Sequence, residues 1–559
     1  MAAVKSGVAA AAIFVVAFFY QFTKPSFPND HFGHLSKAQL VLDGELPVRD
    51  FMDPGLPLTI AISAGLLSLS RGSLFAEALF TMGAISVGVV LVYRLSRRLT
   101  ASVGLAIWAA ACTLAIEPRL YNYPKVLTCT VAAWLACRYI DRPTRERAAC
   151  LGAWTAVAFL FRHDLGLYAI VLAAVTFPLG VRGEGARRTM VLHGIIAGSV
   201  ALAVVSPYLW FLATYGTPVG TVRDGLTALA SAARVTLRPF ALSAPADGTP
   251  WMRYNAEAWI YYLFLIAPAV AAGAMARRRR VATVSGRQAA AVAVLCAALM
   301  LFLIRGNLDS RLPDVAAPSF VLAAWVLTLL GRSRTSGTSA RWARTAGAVS
   351  ITGITMVAVA IVAEESPLTR LLRTAIRDLP HSVVAPAQRL LEPPLVAWER
   401  EGTTDVRGLA RWLHECTAPG DRLLMFGYHP EVFFYSDRRF AGGMQFFHSG
   451  YFSSQAEQEL TVTRLGRQRV PFVIVESEDL PALDNTYAIV GDYVRQNYRQ
   501  VAASGFGEGR SFVIYQRKDV PRRSLRDGLP CLRSVVTKVP ETQDLTYREV
   551  GRSSRQHGR

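Results

Sequence analysis

The chain has 559 residues, of which 52% are hydrophobic, and it carries a formal net charge of +20 at neutral pH. Its mean hydropathy of +0.30 is too high for an ordinary soluble protein of this length. A net charge of this sign could indicate a nucleic-acid partner. One alternating set of loops between the apolar runs, however, together with Lys5, carries 20 basic residues against three acids, which is typical of membrane topology and argues against nucleic acid.

Eleven apolar runs mark the first 363 residues, and about 20 apolar residues suffice to span a bilayer. The predicted spans lie at about 5–22, 73–93, 102–117, 123–140, 148–161, 165–180, 190–212, 257–276, 288–304, 316–331 and 345–363. The first span is expected to be a retained anchor, because no clear signal-peptidase site follows it.

The loops between these runs alternate between two kinds. One set is rich in Arg and contains few acids, and the other is charge-balanced and rich in Asp, Pro, Tyr and Trp. Because an excess of Lys and Arg marks cytoplasmic loops, the sequence predicts a cytoplasmic N-terminus and an extracytoplasmic C-terminal region. The expected location is the cytoplasmic membrane, which the chain crosses many times.

Two apolar segments do not read as simple spans. Residues 54–72 are short and begin with two prolines, so we expect a helix lying on the outer membrane surface. Residues 148–180 are too long for one crossing and are interrupted by 162-RHDLG-166. The interruption predicts two helices that meet at Arg162 on the outer side, where a charge can avoid lipid.

The composition changes after residue 363. Strand patterns at 422–427, 471–476 and 512–517 alternate with helix patterns at 404–416, 454–467 and 487–498. This alternation predicts a small α/β domain over 364–518 with a partly parallel sheet. The Arg-rich segment 519–559 has little patterning and is expected to be disordered.

The seven cysteines show neither a CxxC motif nor a paired framework, so the sequence predicts no zinc site and no disulfide scaffold. They are Cys112, Cys129, Cys137, Cys150, Cys296, Cys416 and Cys531.

The first external loop, 23–72, holds the densest group of acid and base side chains. A sugar linked to a lipid phosphate has its reactive carbon just above the membrane surface, and its transfer to a hydroxyl needs a general base, a role that a carboxylate fills. The departing phosphate needs positive charge, for which Arg is well shaped. The candidate groups for the phosphate, all expected on the outer face, are Arg119, Lys125, Arg162, Arg305 and Arg311.

Other interpretations of these residues remain open. Asp30 precedes a helix pattern at 31–44 and could cap that helix. His31 and His34 share one face of the helix and, with Asp30, Asp50 and Asp53, could bind a divalent metal, although no metalloenzyme motif is present. Arg119 and Lys125 could be interfacial anchors. Asp309 and Asp314 could pair with Arg305 and Arg311.

The N-terminal half resembles the GT-C superfamily of polytopic glycosyltransferases, especially bacterial relatives of protein O-mannosyltransferases and of the aminoarabinose and lipopolysaccharide-core sugar transferases. Those enzymes carry an acidic pair after the first helix, then a G-x-x-P-Y-R-D-F turn and a P-P-L helix start. The matching segments are Asp30-His31, Gly44-Glu45-Leu46-Pro47-Val48-Arg49-Asp50-Phe51 and Leu56-Pro57-Leu58. The chain departs at His31, where the family usually has a second acid. Segment 421–443 resembles the outer-face domains of such enzymes.

The resemblance implies a GT-C-like fold of about 11 transmembrane helices plus surface helices, with Asp30 as the base. It implies a polyprenyl-phosphate-sugar donor, transfer of a hexosyl or pentosyl group with inversion, no nucleotide cofactor, and an acceptor from outside that is a glycan, lipid or protein. His31, His34, Asp50 and Asp53 are then expected to support the acceptor side. Two alternatives remain, a transporter or flippase of lipid-linked precursors and a non-catalytic scaffold for envelope assembly.

Overall fold

The computed structural model describes residues 2–23, 27–216, 238–243, 245, 248–276, 283–303, 308–332, 338–363, 379–392, 406–448, 450–506, 510–521, 523–526 and 528–533. Helices make up the N-terminal part of these residues, and a five-stranded sheet forms the centre of the C-terminal part.

The helices of the N-terminal part follow the apolar pattern of the sequence. In chain order they are α1 (Ala2–Phe22), α2 (Asn29–Leu42), α3 (Pro57–Leu69), α4 (Phe75–Thr100), α5 (Val103–Ala115), α6 (Tyr123–Asp141), α7 (Arg145–Phe161), α8 (His163–Gly180), α9 (Ala186–Tyr215), α10 (Trp251–Ala276), α11 (Val284–Leu303), α12 (Leu308–Arg332) and α13 (Thr338–Val362). Each of the eleven predicted spans falls on one of these helices. Helices α2 and α3 lie within residues 23–72, where the sequence predicted two helices.

Seven of the described helices, α4 and α8 to α13, are long and apolar enough to cross a membrane. Helices α9 and α13 bury only 11% and 17% of their most apolar windows, so their apolar side chains face outward. Outward-facing apolar side chains are what a bilayer requires of peripheral helices. The chain is therefore an α-helical polytopic membrane protein with a small C-terminal α/β domain.

The break predicted inside residues 148–180 is confirmed at Arg162. Its extended backbone, with φ −165° and ψ 128°, separates the end of α7 from the start of α8. The charged residue thus lies between two helices, where its side chain is half-buried and meets Asp164 at 2.7 Å.

The C-terminal domain is built on a mixed sheet in the order β2-β1-β3-β5-β4. Strands β1, β2 and β3 are parallel, β5 pairs antiparallel with β3, and the edge strand β4 pairs antiparallel with β5. The elements from residue 379 onward are α14 (Leu379–Leu391), α15 (Arg407–Cys416), β1 (Arg422–Phe426), α16 (Pro430–Ser436), β2 (Arg439–Phe440), α17 (Gln455–Leu465), β3 (Phe472–Glu476), α18 (Leu480–Asp484), α19 (Ala488–Asn497), β4 (Tyr498–Gly505), β5 (Ser511–Arg517), β6 (Ser524–Arg526) and β7 (Leu529–Cys531).

Burial on both faces explains why the central strands read as continuous apolar runs. Leu423 and Met425 of β1 enter a core with α15 and α16, whereas Leu424 and Phe426 enter a second core with α17 and α19. The domain therefore has three layers, with helices on both sides of the sheet.

The predictions of a disordered tail from residue 519 and of no disulfide are wrong for the described residues. Strands β6 and β7 pair with each other, and Cys531 at the end of β7 is bonded to Cys416 at the end of α15. A separation of 115 residues leaves no local spacing motif from which this pair could be predicted. The rest of the predicted tail, 534–559, lies outside the described residues.

Helix α2 joins the two parts of the chain. Phe32 and Leu35 belong to the core of the membrane helices, whereas Leu40 and, further along the loop, Phe51 belong to the core of the C-terminal domain. The Phe32 ring also lies 5.4 Å from that of Phe434 in α16. Residues 29–51 are therefore packed between the two cores.

Polar contacts fix the direction of β1 along α2. Arg422, at the start of β1, forms an ion pair with Glu45 just after α2. Tyr428, two residues after β1 ends, contacts Asp30 at the start of α2. The strand and the helix therefore run in opposite directions, and the carboxyl end of β1 faces the start of α2.

Candidate functional site

Asp30 is the second residue of α2, which begins directly after the N-cap residue Pro28. The side chain of Asp30 is half-buried, and its Oδ1 accepts a hydrogen bond from the Tyr428 hydroxyl at 2.6 Å. No side-chain capping bond forms at this helix start. The carboxylate that could have capped α2 is thus directed toward the C-terminal domain.

A second tyrosine, Tyr121, approaches Asp30 from the membrane part of the chain. It lies in the short turn Leu120–Asn122 before α6 and interacts with the charges of Asp30 and Asp314. The pKa of Tyr121 is raised above its ordinary value, mainly by burial and then by the charges of these two carboxylates. Its phenol stays protonated and can donate hydrogen bonds.

Helix α2 presents Asp30, His34 and Lys37 at spacings of four and three residues, which places them on one face. Burial, assisted by the charges of His31, Lys37, Arg162 and Lys125, holds the pKa of His34 well below 6.5. Burial also lowers the pKa of Lys37 to about 8, although the Asp53 carboxylate opposes this change. His34 is therefore neutral at pH 7, and Lys37 is a buried cation.

A basic cluster lies opposite this face at the N-terminal ends of α6, α8 and α12. Lys125 Nζ lies 2.5 Å from Asp314 Oδ2, and Arg311 Nη1 lies 3.8 Å from the same oxygen. Arg162 pairs with Asp164 at 2.7 Å. Lys125 Nζ lies 5.5 Å from the centre of the Tyr121 ring, and that ring lies 6.4 Å from the His34 ring, so the cluster faces α2.

The two remaining candidates for binding the phosphate are Arg119, which the structure describes, and Arg305, which it does not. Arg119 precedes the turn that holds Tyr121 and acts on that side chain through its charge. It forms no salt bridge with any residue that the structure describes. Arg305 lies in the segment 304–307, which is outside the described residues.

His31 is not directed to the same place as Asp30. Its ring is fully buried, and Nε2 lies 2.9 Å from Glu77 Oε1 of α4. Ser63 of α3 donates to the same carboxylate oxygen at 3.0 Å. His31 thus connects α2 to the membrane helices, and a metal site that uses both His31 and Asp50 is not assembled.

Asp50 and Asp53 each organise the backbone of the first loop. Asp50 Oδ2 accepts from the Leu46 amide and from Arg49, both at 2.8 Å. Burial raises the pKa of Asp50, but these hydrogen bonds and the Arg49 charge outweigh it, so the pKa is lowered overall. Its partners belong neither to the surroundings of Asp30 nor to the basic cluster.

Asp53 is buried, and its Oδ1 accepts from the amides of Gly55 and Leu56, both at 2.9 Å, just before α3 begins. It also interacts with Lys37 of α2 and with Tyr208 of α9. Asp53 therefore lies at the Lys37 end of the polar face of α2, away from the contact between Asp30 and Tyr428.

Beside Tyr428, the carboxyl ends of β1 and β3 carry a buried charge network. His429 lies 3.3 Å from Glu431 and 3.0 Å from Glu476, and Arg510 approaches the same ring at 3.3 Å. Burial lowers the pKa of His429, but the two carboxylates outweigh it and raise the pKa to about 9. The imidazole is therefore charged at neutral pH and holds the strand ends together.

Several of these residues escaped the sequence analysis, namely Lys37, Glu77, Tyr121, Asp314 as the partner of Lys125, Tyr428 and His429. Lys37 could have been found, because it continues the spacing of Asp30 and His34 on the helix. Tyr428 and His429 follow a buried strand directly, and the carboxyl ends of parallel strands are where α/β sheets bind ligands. The contact between Tyr428 and Asp30 spans 398 residues and has no local signal.

Two of the Arg-rich segments, which hold Arg98 and Asp141, meet at the opposite end of the membrane part. Arg98 pairs with Asp141, and Gln288 donates to the same carboxylate at 2.7 Å. A cavity of about 390 Å³ at that end is lined by Tyr93, Arg94, Arg97, Arg98 and Trp134. It lies far from Asp30, at the other ends of α4 and α6. Among the described residues no group of three or more His, Cys, Asp or Glu is suited to hold a metal.

No protein-family model matches the chain, and no curated protein sequence matches it. Among solved structures, the chain is similar to the apo form of the oligosaccharyltransferase of Archaeoglobus fulgidus, with 12% identical residues and a TM-score of 0.48. The similarity covers 86% of this chain and 71% of that one.

Proposed function

We propose that the protein is an integral membrane glycosyltransferase of the GT-C type, with Asp30 as its general base. The observation that supports this most directly is the position of Asp30. It lies one turn before His34 on α2, and the Tyr121 ring lies between His34 and Lys125 of the basic cluster, at 6.4 Å from the His34 ring and 5.5 Å from Lys125 Nζ. Transfer from a phosphate-linked sugar requires a carboxylate that accepts the proton and positive charge that stabilises the departing phosphate, and this part of the chain supplies both.

The reaction follows from these groups. An acceptor hydroxyl gives its proton to the Asp30 carboxylate while its oxygen forms a bond to the anomeric carbon of the sugar. The bond from that carbon to the phosphate oxygen breaks, and the electron pair leaves with a polyprenyl phosphate. Attack opposite to the leaving group inverts the anomeric centre.

The leaving phosphate gains negative charge in the transition state, so fixed positive charge nearby lowers the barrier. In the basic cluster Lys125, Arg162 and Arg311 outnumber Asp164 and Asp314, which leaves an excess of positive charge. Arg119, which has no salt bridge in the described part of the chain, is the candidate for direct contact with the phosphate. Arg305 remains a further candidate.

The proposed donor is a sugar on a polyprenyl phosphate, and the proposed acceptor is an extracytoplasmic glycan, lipid or protein. We place the site on the outer side of the cytoplasmic membrane, with the N-terminus inside and the C-terminal domain outside. The bond between Cys416 and Cys531 supports this orientation, because disulfides persist in oxidising compartments. The proposed mechanism uses neither a nucleotide nor a metal.

The test is mass spectrometry of envelope glycans from a strain that lacks the protein, complemented with the wild-type chain or with Asp30→Asn. The amide keeps the shape of the side chain but cannot accept the proton, so the glycan product should be lost. Asp492→Asn is the matched control, since Asp492 is exposed on α19 and pairs only with Arg495 nearby. Product at the wild-type level with Asp30→Asn, and the protein present in the membrane, would refute the proposal.

The same strains separate the two alternatives. A transporter of lipid-linked precursors would change precursor distribution across the membrane, and Asp30→Asn would leave glycan composition unaltered once precursor is supplied outside. A scaffold would tolerate Asp30→Asn altogether. Neither alternative requires a carboxylate aligned with a phosphate-binding cluster.

A further inference from the structure

The contact between Tyr428 and Asp30 connects the two parts of the chain at the proposed reaction centre. The Tyr428 hydroxyl donates to Asp30 Oδ1 at 2.6 Å, a short hydrogen bond of the kind formed with a charged acceptor. Tyr428 comes from the loop after β1, and Asp30 comes from the first turn of α2. A side chain of the C-terminal domain therefore touches the carboxylate that the membrane part supplies.

The backbone that carries Tyr428 is fixed by its neighbours. The next residue, His429, is 2% exposed and is held between Glu431 and Glu476. The Tyr428 ring itself packs edge-on against Phe446, with ring centroids 4.7 Å apart. The hydroxyl is thus presented to Asp30 from a rigid support.

The Tyr428 phenol also stays protonated, so that it remains a hydrogen-bond donor. Burial, and then the Asp30 charge, raise the pKa of Tyr428 above its ordinary value. The phenol therefore keeps its proton at neutral pH. It can donate to Asp30 at that pH.

We propose that Tyr428 is a positioning residue that orients the Asp30 carboxylate for proton abstraction. The inference rests on the proposed function, because it assigns Tyr428 a role in the reaction of Asp30. By holding Oδ1, the phenol directs the other oxygen toward the incoming hydroxyl and restricts rotation of the carboxylate. Displacement of a reacting group by about 1 Å can cost a hundredfold in rate, so this restraint matters for turnover.

Two effects of the hydroxyl oppose each other. A donor to the carboxylate makes the base weaker, which slows proton transfer, whereas orientation speeds it. Orientation dominates in this proposal, since the residue beside Tyr428 is buried between two carboxylates and the Tyr428 ring packs against Phe446, so that the hydroxyl is held in one place. Tyr428→Phe should therefore slow the reaction, even though loss of the hydrogen bond makes the Asp30 carboxylate a stronger base.

The test uses the purified full chain with a hexosyl and a pentosyl polyprenyl phosphate as probes and measures release of free sugar, with water as the acceptor. Water needs the same base as an acceptor hydroxyl. For the probe that the wild-type chain hydrolyses, Tyr428→Phe should lower kcat about ten- to a hundredfold, with KM for the donor within about twofold. If neither probe is hydrolysed, the envelope glycans of cells that carry each variant provide the rate, as product formed per hour after induction.

Two controls separate positioning from structure. Tyr451→Phe removes a hydroxyl from the same aromatic cluster, where Tyr451 lies beside Phe446 and is 55% exposed, and should leave kcat unchanged. Arg439→Gln removes the ion pairs with Asp43 and Glu45, which lie 2.8 Å and 3.5 Å away at the far end of α2, and should also leave kcat unchanged. A loss with Arg439→Gln equal to that with Tyr428→Phe would mean that domain docking alone matters, and it would overturn the inference.

Asp30→Asn distinguishes the failure of the inference from that of the proposed function. If Asp30→Asn is inactive and Tyr428→Phe turns over at or above the wild-type rate, Tyr428 does not position the base, although Asp30 remains the base. If Asp30→Asn is fully active, both proposals fall. Loss in both variants, with both controls active, is the expected result.

Discussion

The disulfide between Cys416 and Cys531 closes a loop of 115 residues that contains the whole sheet of the C-terminal domain. In the loop-entropy model, closing a loop of this length removes about 16 cal/mol/K from the unfolded chain, or about 5 kcal/mol at 25 °C. Measured effects of native disulfides are usually smaller, about 2–4 kcal/mol. We therefore expect Cys531→Ser to destabilise the domain by about 3 kcal/mol.

Hydrogen exchange followed by mass spectrometry measures this change in the domain alone, within the full-length chain in detergent. Peptides that contain β1 and β3 report the opening of the sheet core, whose exchange follows the free energy of unfolding. A loss of about 3 kcal/mol corresponds to roughly a hundredfold faster exchange of these amides. Exchange of membrane helices such as α4 should not change.

The matched control is Cys150→Ser, because Cys150 is an exposed free cysteine at the start of α7. It should leave exchange of the sheet unchanged. Maleimide labelling under denaturing, non-reducing conditions supplies the second measurement, and Cys416 and Cys531 should both be protected until a reductant is added. Labelling of both without reductant, or unchanged exchange in Cys531→Ser, would refute this account and remove its support for an extracytoplasmic domain.

Three further predictions concern buried charges and a tight contact. Asp314→Ala removes the carboxylate 2.5 Å from the buried Lys125 ammonium and should cost about 3–5 kcal/mol, seen as a lower unfolding temperature in detergent, whereas Lys125→Met combined with Asp314→Leu should cost less. Because the folded-state pKa of His429, about 9, is above the ordinary 6.5, its stabilisation is complete below pH 6.5 and is lost as pH rises through 9. Unfolding temperatures of the domain should therefore fall from pH 7 to 10, and fall less in His429→Gln. Gly55→Ala should destabilise the chain by about 1–3 kcal/mol in thermal unfolding, because Gly55 has φ +86° and its added Cβ would lie 2.6 Å from His163 Nδ1; equal stability would contradict this.

The apolar pattern was sufficient to predict the helices because a membrane helix is defined by its own composition. The same holds for β1, β3 and β5, whose buried runs stand between turn residues. Strand β4 was missed because it is an edge strand with mostly exposed or half-exposed side chains, so its sequence lacks an apolar run. Strands β6 and β7 are only three residues each, too short for any periodicity.

The candidate site was predictable where its residues share one element and not where they meet across the fold. The spacing along α2 and the resemblance of the first loop were sufficient to single out Asp30 and His34. The partners Glu77, Asp314 and Tyr428 lie 46, 189 and 398 residues from His31, Lys125 and Asp30. Such pairs are fixed by how helices and sheet dock, which composition and periodicity do not encode.

Leu40 and Phe51 come from the N-terminal part of the chain but fill the core of the C-terminal domain, which affects any attempt to study that domain alone in water. Both side chains are at most 1% exposed and fill the face of the sheet that α15 and α16 cover. A fragment that begins after residue 363 would lack them and would carry two side-chain-sized voids, and emptying even one buried Leu site typically costs about 2–5 kcal/mol. Fusing residues 29–56 to the N-terminus of such a fragment through a flexible linker would restore both side chains to the core. The soluble fragment would then also contain both Asp30 and Tyr428.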